Sequence, residues 1–126
     1  MKTTISSGTP WENEVGYSRA IRVGNVIEIS GTAPVRNGEV KGKTAYEQAK
    51  VCLEIIAETL DKLDGGMENV TRTRMFVTDI SLWKEFGKAH AEFFKEIKPA
   101  TSMVEVSQLI DKKMLIEIEV TALLPE

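Results

Sequence analysis

Met114-Leu-Ile-Glu-Ile-Glu-Val-Thr-Ala-Leu-Leu124 is the stretch whose reading decides the fold. Met114, Ile116, Ile118, Val120 and Ala122 alternate with Leu115, Glu117, Glu119, Thr121 and Leu123, the period of two imposed by a strand with one buried face. Just upstream, Thr101-Ser-Met-Val-Glu-Val106 follows Lys98-Pro99-Ala100, and Pro99 disfavours helix immediately before it. In this run Val104 and Val106 share a face, while Thr101, Met103 and Glu105 share the other. The alternation predicts two strands, each with an apolar face toward a core and a largely polar face toward something else. What meets that polar face is the functional question.

Working outward, Lys2 to Ser6 reads as a short edge strand, and Gly8-Thr-Pro-Trp11-Glu-Asn-Glu14 as a turn-rich loop ending near Gly16, with Trp11 as a lid over local core. Tyr17 to Val23 and Val26 to Ser30 flank Gly24-Asn25, which suits a two-residue hairpin turn. Asn37-Gly38 marks another turn before Val40. Thr44-Ala-Tyr-Glu47 has the capping-box pattern, and Ala45, Ala49, Cys52, Ile56, Leu60 and Leu63 then recur at helical spacing until Gly65-Gly66. Cys52 lies on that stripe and reads as a small buried hydrophobe, with nothing nearby in sequence to activate it.

Val70 to Asp79 is the next strand, with Arg72, Arg74 and Phe76 on one side and Thr73, Met75 and Val77 on the other. A second helix is expected from Ser81 to Ile97, buried along Leu82, Phe86, Ala89, Phe93 and Ile97. The lone histidine, His90, flanks this stripe near Trp83 and Phe94 and reads as structural rather than catalytic. Hairpins mixed with two amphipathic helices, without regular β-α alternation, predict an α+β fold over residues 1–126, a mixed sheet with both helices on one face. The other face must be solvated or buried against another chain.

A chain of 126 residues can build one proper core, and 42% apolar with 28% charged residues is an ordinary globular composition. The net charge of −3, with no Lys/Arg block, argues against nucleic acid or an anionic membrane, because phosphate binding needs a concentrated basic field. One cysteine allows no intrachain disulfide, and Met1-Lys-Thr-Thr-Ile-Ser-Ser7 is too polar for a secretory start, so a cytoplasmic protein is the expectation. No phosphate loop, dinucleotide glycine pattern, metal-spaced His/Cys set or nucleophile elbow occurs; neither a metal nor a cofactor is expected.

The strand parities gather Tyr17, Arg19, Glu28, Ser30, Thr101, Glu105, Glu117 and Glu119 on the polar face, with Arg72 and Arg74 ambiguous because Phe76 shares their side. A merely solvated face accounts for charges of both signs. Met103 and Leu115 on that same face suit instead an oligomer interface, whose clefts can shelter a small ligand.

At this level the chain resembles the RidA/YjgF, or reactive-intermediate deaminase, family. The resemblance rests on Gly16-Tyr17-Ser18, Ile29-Ser30-Gly31, Gly42-x-x-Ala45-Tyr46-Glu47-Gln48-Ala49, Val70-x-x-x-x-Met75-Phe76-Val77-Thr78-Asp79, Phe93-Phe94, Pro99-Ala100, Val104-Glu105-Val106 and Ile116-Glu117-Ile118-Glu119, in this order and spacing. It implies a chorismate-mutase-like fold, a homotrimer and a small-molecule metabolite in clefts between subunits. It also implies that Glu117 orients or activates water while Tyr17 and Ser30 line the cleft. The family's carboxylate-binding arginine falls at Thr101, its cysteine at Met103 and its helix asparagine at Gly87. Threonine cannot make arginine's bidentate contact, so weak action on 2-imino acids is expected. Arg19 is the candidate replacement anchor on parity alone. Imine or enamine hydrolysis is thus the leading reading. A non-catalytic ligand-binding or scavenging trimer is the alternative, and a ribonuclease or translation inhibitor the third.

Overall fold

Thr44 starts the longest helix as its sequence predicts. Its hydroxyl accepts the Glu47 N–H at 3.1 Å, and the Glu47 carboxylate accepts the Thr44 N–H at 3.2 Å. The computed structural model describes residues 1–126, with elements β1 Lys2–Ile5, α1 Pro10–Val15, β2 Ala20–Val23, β3 Val26–Thr32, β4 Val35–Arg36, β5 Glu39–Val40, α2 Ala45–Lys62, β6 Val70–Val77, α3 Trp83–Phe94, β7 Ala100–Glu105 and β8 Ile116–Leu123. Every residue of the expected α2 stripe is buried, Cys52 included. Asp64, at φ 62°, makes the left-handed exit from the helix, ahead of Gly65. Gly65 serves close packing instead, because a Cβ there would come 3.1 Å from both Ile27 and Leu124.

β8 occupies the middle of a six-stranded sheet ordered β1-β2-β3-β8-β6-β7. Only the β6–β7 pair is parallel, so the sheet is mixed. The β2–β3 hairpin turns at Gly24-Asn25 with Gly24 at φ 61°, and β4–β5 turns at Asn37-Gly38, both at positive φ. α2 and α3 pack on each other and cover one sheet face. Ile27, Ile29, Ile116, Ile118 and Val120 from the sheet meet Leu53, Ile56, Leu60 and Phe86 from the helices. Each such fully buried side chain contributes about 1.5–3 kcal/mol of transfer free energy. The architecture is the expected α+β chorismate-mutase-like fold with helices on one face. No helix is long and apolar enough to cross a membrane.

Several local expectations change. The loop before Gly16 contains the short helix α1, begun by Pro10 in its first turn and closed by Gly16 at φ 89°. It buries Glu12 rather than Trp11, which stays exposed. β2 begins only at Ala20, so Tyr17 and Arg19 precede the strand and their shared parity does not apply. A turn of tighter 3-10 helix over Ile80–Leu82 precedes α3, whose Phe94 is buried more fully than Phe93.

The largest correction concerns β7. In its parallel pairing with β6, Thr101 lies beside Thr73 and Met103 beside Met75. Thr73, Met75 and Val77 are buried under the helices. Thr101, Met103 and Glu105 therefore project to the helical side, and Val104 to the open side, where it is 46% exposed. Met103 and Leu115 both pack against the core, so the apolar residues of the open face are not this pair. The cause is the position of β7 at a sheet edge. Both of its faces are partly exposed there, so the apolar side does not identify the core side.

Candidate functional site

The open face is built from odd-numbered β8 residues and their cross-strand partners. Glu119 sits opposite Arg74, Glu117 opposite Phe76, and Thr121 opposite Glu28. Arg74 and Glu119 form a half-exposed ion pair at 3.6 Å, which settles the parity of the arginine strand. A cavity of about 530 Å³ opens on this face between Tyr17, Ile21, Glu28, Ser30, Arg74 and Glu119.

A bulge in β3 shapes one wall of this site. The β3–β8 register slips between Ile29 and Thr32, displacing Ser30-Gly31 from regular pairing. The Ser30 hydroxyl donates to the Ser18 carbonyl at 2.6 Å, and the Ser30 N–H to the Arg19 carbonyl at 3.0 Å. These bonds tie the segment leading from Tyr17 to the bulge. Upstream, the buried Glu12 carboxylate accepts Ser6 Oγ at 2.9 Å, the Ser7 N–H at 2.7 Å and the Ser7 hydroxyl. The Ser7 hydroxyl leads the effects that hold its carboxyl below the usual range, outweighing the upward push of burial. The Glu12 carbonyl then accepts the Tyr17 N–H at 3.1 Å, so this anchored turn presents Tyr17 to the cavity.

Glu117 lies just beyond the bulge, half-buried, with its carboxylate packed over Gly31. Any side chain at Gly31 would occupy the space the carboxylate fills. Burial is the main cause pushing the Glu117 carboxyl up in pKa; the negative charge of Glu119 adds to it, and Arg19 opposes it. Arg19 forms no ion pair with Glu117. Its guanidinium instead donates to the buried Thr32 hydroxyl at 3.0 Å. A carboxylate held this way binds a proton more tightly than an exposed one, which makes it the stronger base.

A second polar cluster stands on the other side of the sheet. Thr101 Oγ1 lies 2.9 Å from Thr73 Oγ1, and Thr73 Oγ1 lies 2.9 Å from His90 Nε2. The His90 ring also stacks obliquely on Phe94 at 4.6 Å. Burial pushes the imidazole pKa down. Gly87 lies one turn before His90 on α3, and a Cβ there would meet nothing within 4 Å. Met103 follows Thr101 along the same face of β7.

The candidate residues therefore fall into two groups. Tyr17, Ser30, Arg19 and Glu117 gather around the β3 bulge, while Thr101, Met103 and Gly87 stand with His90 at the β7 edge. No single chain brings Glu117 and Thr101 together. Thr73 and Gly31 escaped the sequence reading as site residues. Pairing the two strands in parallel register would have put Thr73 beside Thr101, whereas nothing local marks Gly31 as the floor under a carboxylate. No group of three or more His, Cys, Asp or Glu side chains is arranged to hold a metal ion.

Residues 9–124 match the family model described as Endoribonuclease L-PSP. A RutC family protein of Pyrococcus abyssi is 34% identical over 84% of this chain and 84% of its own. The mitochondrial protein mmf1 of Schizosaccharomyces pombe is 31% identical over 98% of this chain and 78% of its own. A Mycobacterium tuberculosis crystal structure, described as a member of the YjgF/YER057c/UK114 family, superposes with a TM-score of 0.91 at 40% identity, covering 98% of this chain and all of that one. With matching family model, sequence relatives and backbone, the chain belongs to the RidA/YjgF family, the family described as Endoribonuclease L-PSP.

Proposed function

We propose that the protein hydrolyses the C=N bond of a small imine, or of an enamine through its imine tautomer, with Glu117 as general base. The observation that carries this reading is the Glu117 carboxylate itself, packed over Gly31 with a raised proton affinity beside a polar concavity. Water adds its oxygen to the imine carbon as Glu117 takes one of its protons. The protonated carboxyl returns that proton to nitrogen and leaves a carbinolamine. Glu117 then takes the remaining hydroxyl proton and passes it to the amino nitrogen as the C–N bond breaks, so that a carbonyl compound and ammonia leave. Tyr17 and Ser30 line the approach, and Arg19 supplies a positive field that favours the ionised base.

Glu117 and Thr101 project from opposite faces of one sheet, so a ligand touching both needs a second copy of the chain. A homotrimer with clefts between subunits is the assembly we propose. The open face, with Val104, Leu123 and Val26 exposed, is its natural contact surface. A reducing compartment suits the single buried thiol, whose pKa is pushed up by burial. Ribonuclease action is not favoured: the net charge is −3, and the one histidine is engaged by Thr73.

The test is ammonia release from imines generated in situ by an amine or amino-acid oxidase, measured against the uncatalysed rate. Glu117→Gln should lower the rate about 100-fold or more, the usual contribution of a positioned base. Equal rates for wild type and Glu117→Gln would refute the mechanism. No acceleration over buffer across the imines, with ligands still bound, would favour the binding-protein alternative.

A further inference from the structure

We propose that the Thr101–Thr73–His90 hydrogen-bond chain is the recognition element at the β7 edge, and that it selects an uncharged amide- or imine-like group over a carboxylate. The inference deepens the reading above and shares with it only the assumption that Thr101 faces ligand.

Thr73 is fully buried, and its hydroxyl touches two groups, His90 Nε2 and Thr101 Oγ1, each at 2.9 Å. A hydroxyl has one proton and two lone pairs, and the buried Thr73 proton needs one of these two partners, so the chain runs in one of two directions. If His90 Nε2 is bare, Thr73 donates to it and Thr101 donates to Thr73, which leaves Thr101 an acceptor toward its exposed side. If Nε2 carries the proton, it donates to Thr73, and Thr73 donates to Thr101. The Thr101 proton then goes to the Pro99 carbonyl of its own turn at 3.2 Å, or to a ligand acceptor that replaces that carbonyl. The histidine tautomer thereby sets whether Thr101 accepts or donates.

Either setting offers the ligand one hydrogen bond and no charge. A carboxylate needs several donors and a cation, as an arginine would give with five N–H groups. An amide or imine presents both a donor and an acceptor and is served by either setting. There is room beside the chain, because Gly87 opens space one turn from His90. The partly buried Met103 supplies an apolar wall on the same face. The expected ligand is thus small, with an apolar body and an uncharged polar head.

His90 is the only histidine, so its imidazole resonances are free of overlap in an NMR titration. The probes are butanamide and butanoate, alike in size and differing in charge. Butanamide should shift the His90 resonances saturably, and butanoate should need about tenfold more or fail to saturate, one charge-assisted contact being absent. Thr101→Val should remove the butanamide response and Thr101→Ser keep it. Thr73→Val should move the His90 nitrogen shifts without ligand and uncouple them from butanamide; circular dichroism verifies that each variant is folded. Butanoate saturating at equal or lower concentration overturns the proposal, as does a butanamide response that survives Thr101→Val, or no response to either probe. Butanoate binding lost in Lys98→Ala would show the charge anchored elsewhere and also overturns it. Imine hydrolysis is read separately, as ammonia release from the wild type and Glu117→Gln. Selective butanamide binding without imine hydrolysis therefore refutes the hydrolase reading alone, and Glu117-dependent hydrolysis with butanoate preferred refutes this proposal alone.

Discussion

Gly31→Ala perturbs the candidate base through its floor rather than through the base itself. An added Cβ would stand 2.7 Å from the Glu117 carboxyl carbon and 3.1 Å from its Cγ. Comfortable carbon–carbon contact is about 3.5–4.0 Å, so the carboxyl must retreat by roughly 1 Å. The clash falls on the far end of a flexible side chain, and Gly31 has no positive φ. The backbone therefore accepts alanine, and stability should change by no more than about 1 kcal/mol. A shift of about 1 Å in a catalytic group can cost on the order of 100-fold in rate. The assay compares ammonia release and Tm for the wild type, Gly31→Ala and the double variant Gly31→Ala/Glu117→Asp. The single variant should lose about 100-fold in kcat/KM with Tm nearly unchanged, while the shorter aspartate relieves the clash and restores part of the rate. Full activity in Gly31→Ala would refute the claim that carboxylate placement matters. A collapsed Tm would show that Gly31 serves the bulge instead.

Thr101→Arg should raise activity on short 2-imino acids about ten- to a hundredfold, because a charge-assisted pair contributes roughly 1.5–3 kcal/mol, and Glu117→Ala should remove the gain. The Glu117 pKa is raised on folding, so its ionisation costs stability as pH rises through the folded value. Glu117→Gln should accordingly melt higher than wild type at neutral pH, with the advantage vanishing below about pH 4. The His90 pKa is lowered on folding, so wild type should lose stability as pH falls below about 6.5 through the folded value, and His90→Gln should lack that step in a melting series. Thr44→Ala should cost about 1 kcal/mol by removing the capping box, read as a Tm drop of about 4 °C. Light scattering at micromolar concentration should give a trimer mass; a monomer would remove the shared cleft.

The central strand, the two helices and the capping box were legible because their signals are local. Ile116, Ile118 and Val120 announce one buried face, and Thr44 with Glu47 announces a helix start wherever the helix later packs. The placement of Thr101 was not legible. Its side depends on pairing with β6, a partner some thirty residues away, and an edge strand carries apolar residues on both faces. The same pairing hid Thr73, which looks like an ordinary strand threonine until His90 is brought beside it by α3. Glu117 could be singled out by parity and family likeness. Its proton affinity could not, because that follows from burial over Gly31 and from the fields of Glu119 and Arg19. Arg19 itself was reached by a strand parity that does not hold, since it precedes β2.

Subunit complementation tests the shared site most directly. Glu117→Gln and Thr101→Val copies, each nearly inactive alone on an uncharged imine, are unfolded together, refolded as a mixture and assayed for ammonia release. If one copy supplies Glu117 and its neighbour Thr101, half of each partner type at every interface gives about a quarter of wild-type activity in an equal mixture. No recovery over the separate variants would mean that both residues act within one chain or that Thr101 plays no part, and either would contradict a site split between the faces of two sheets.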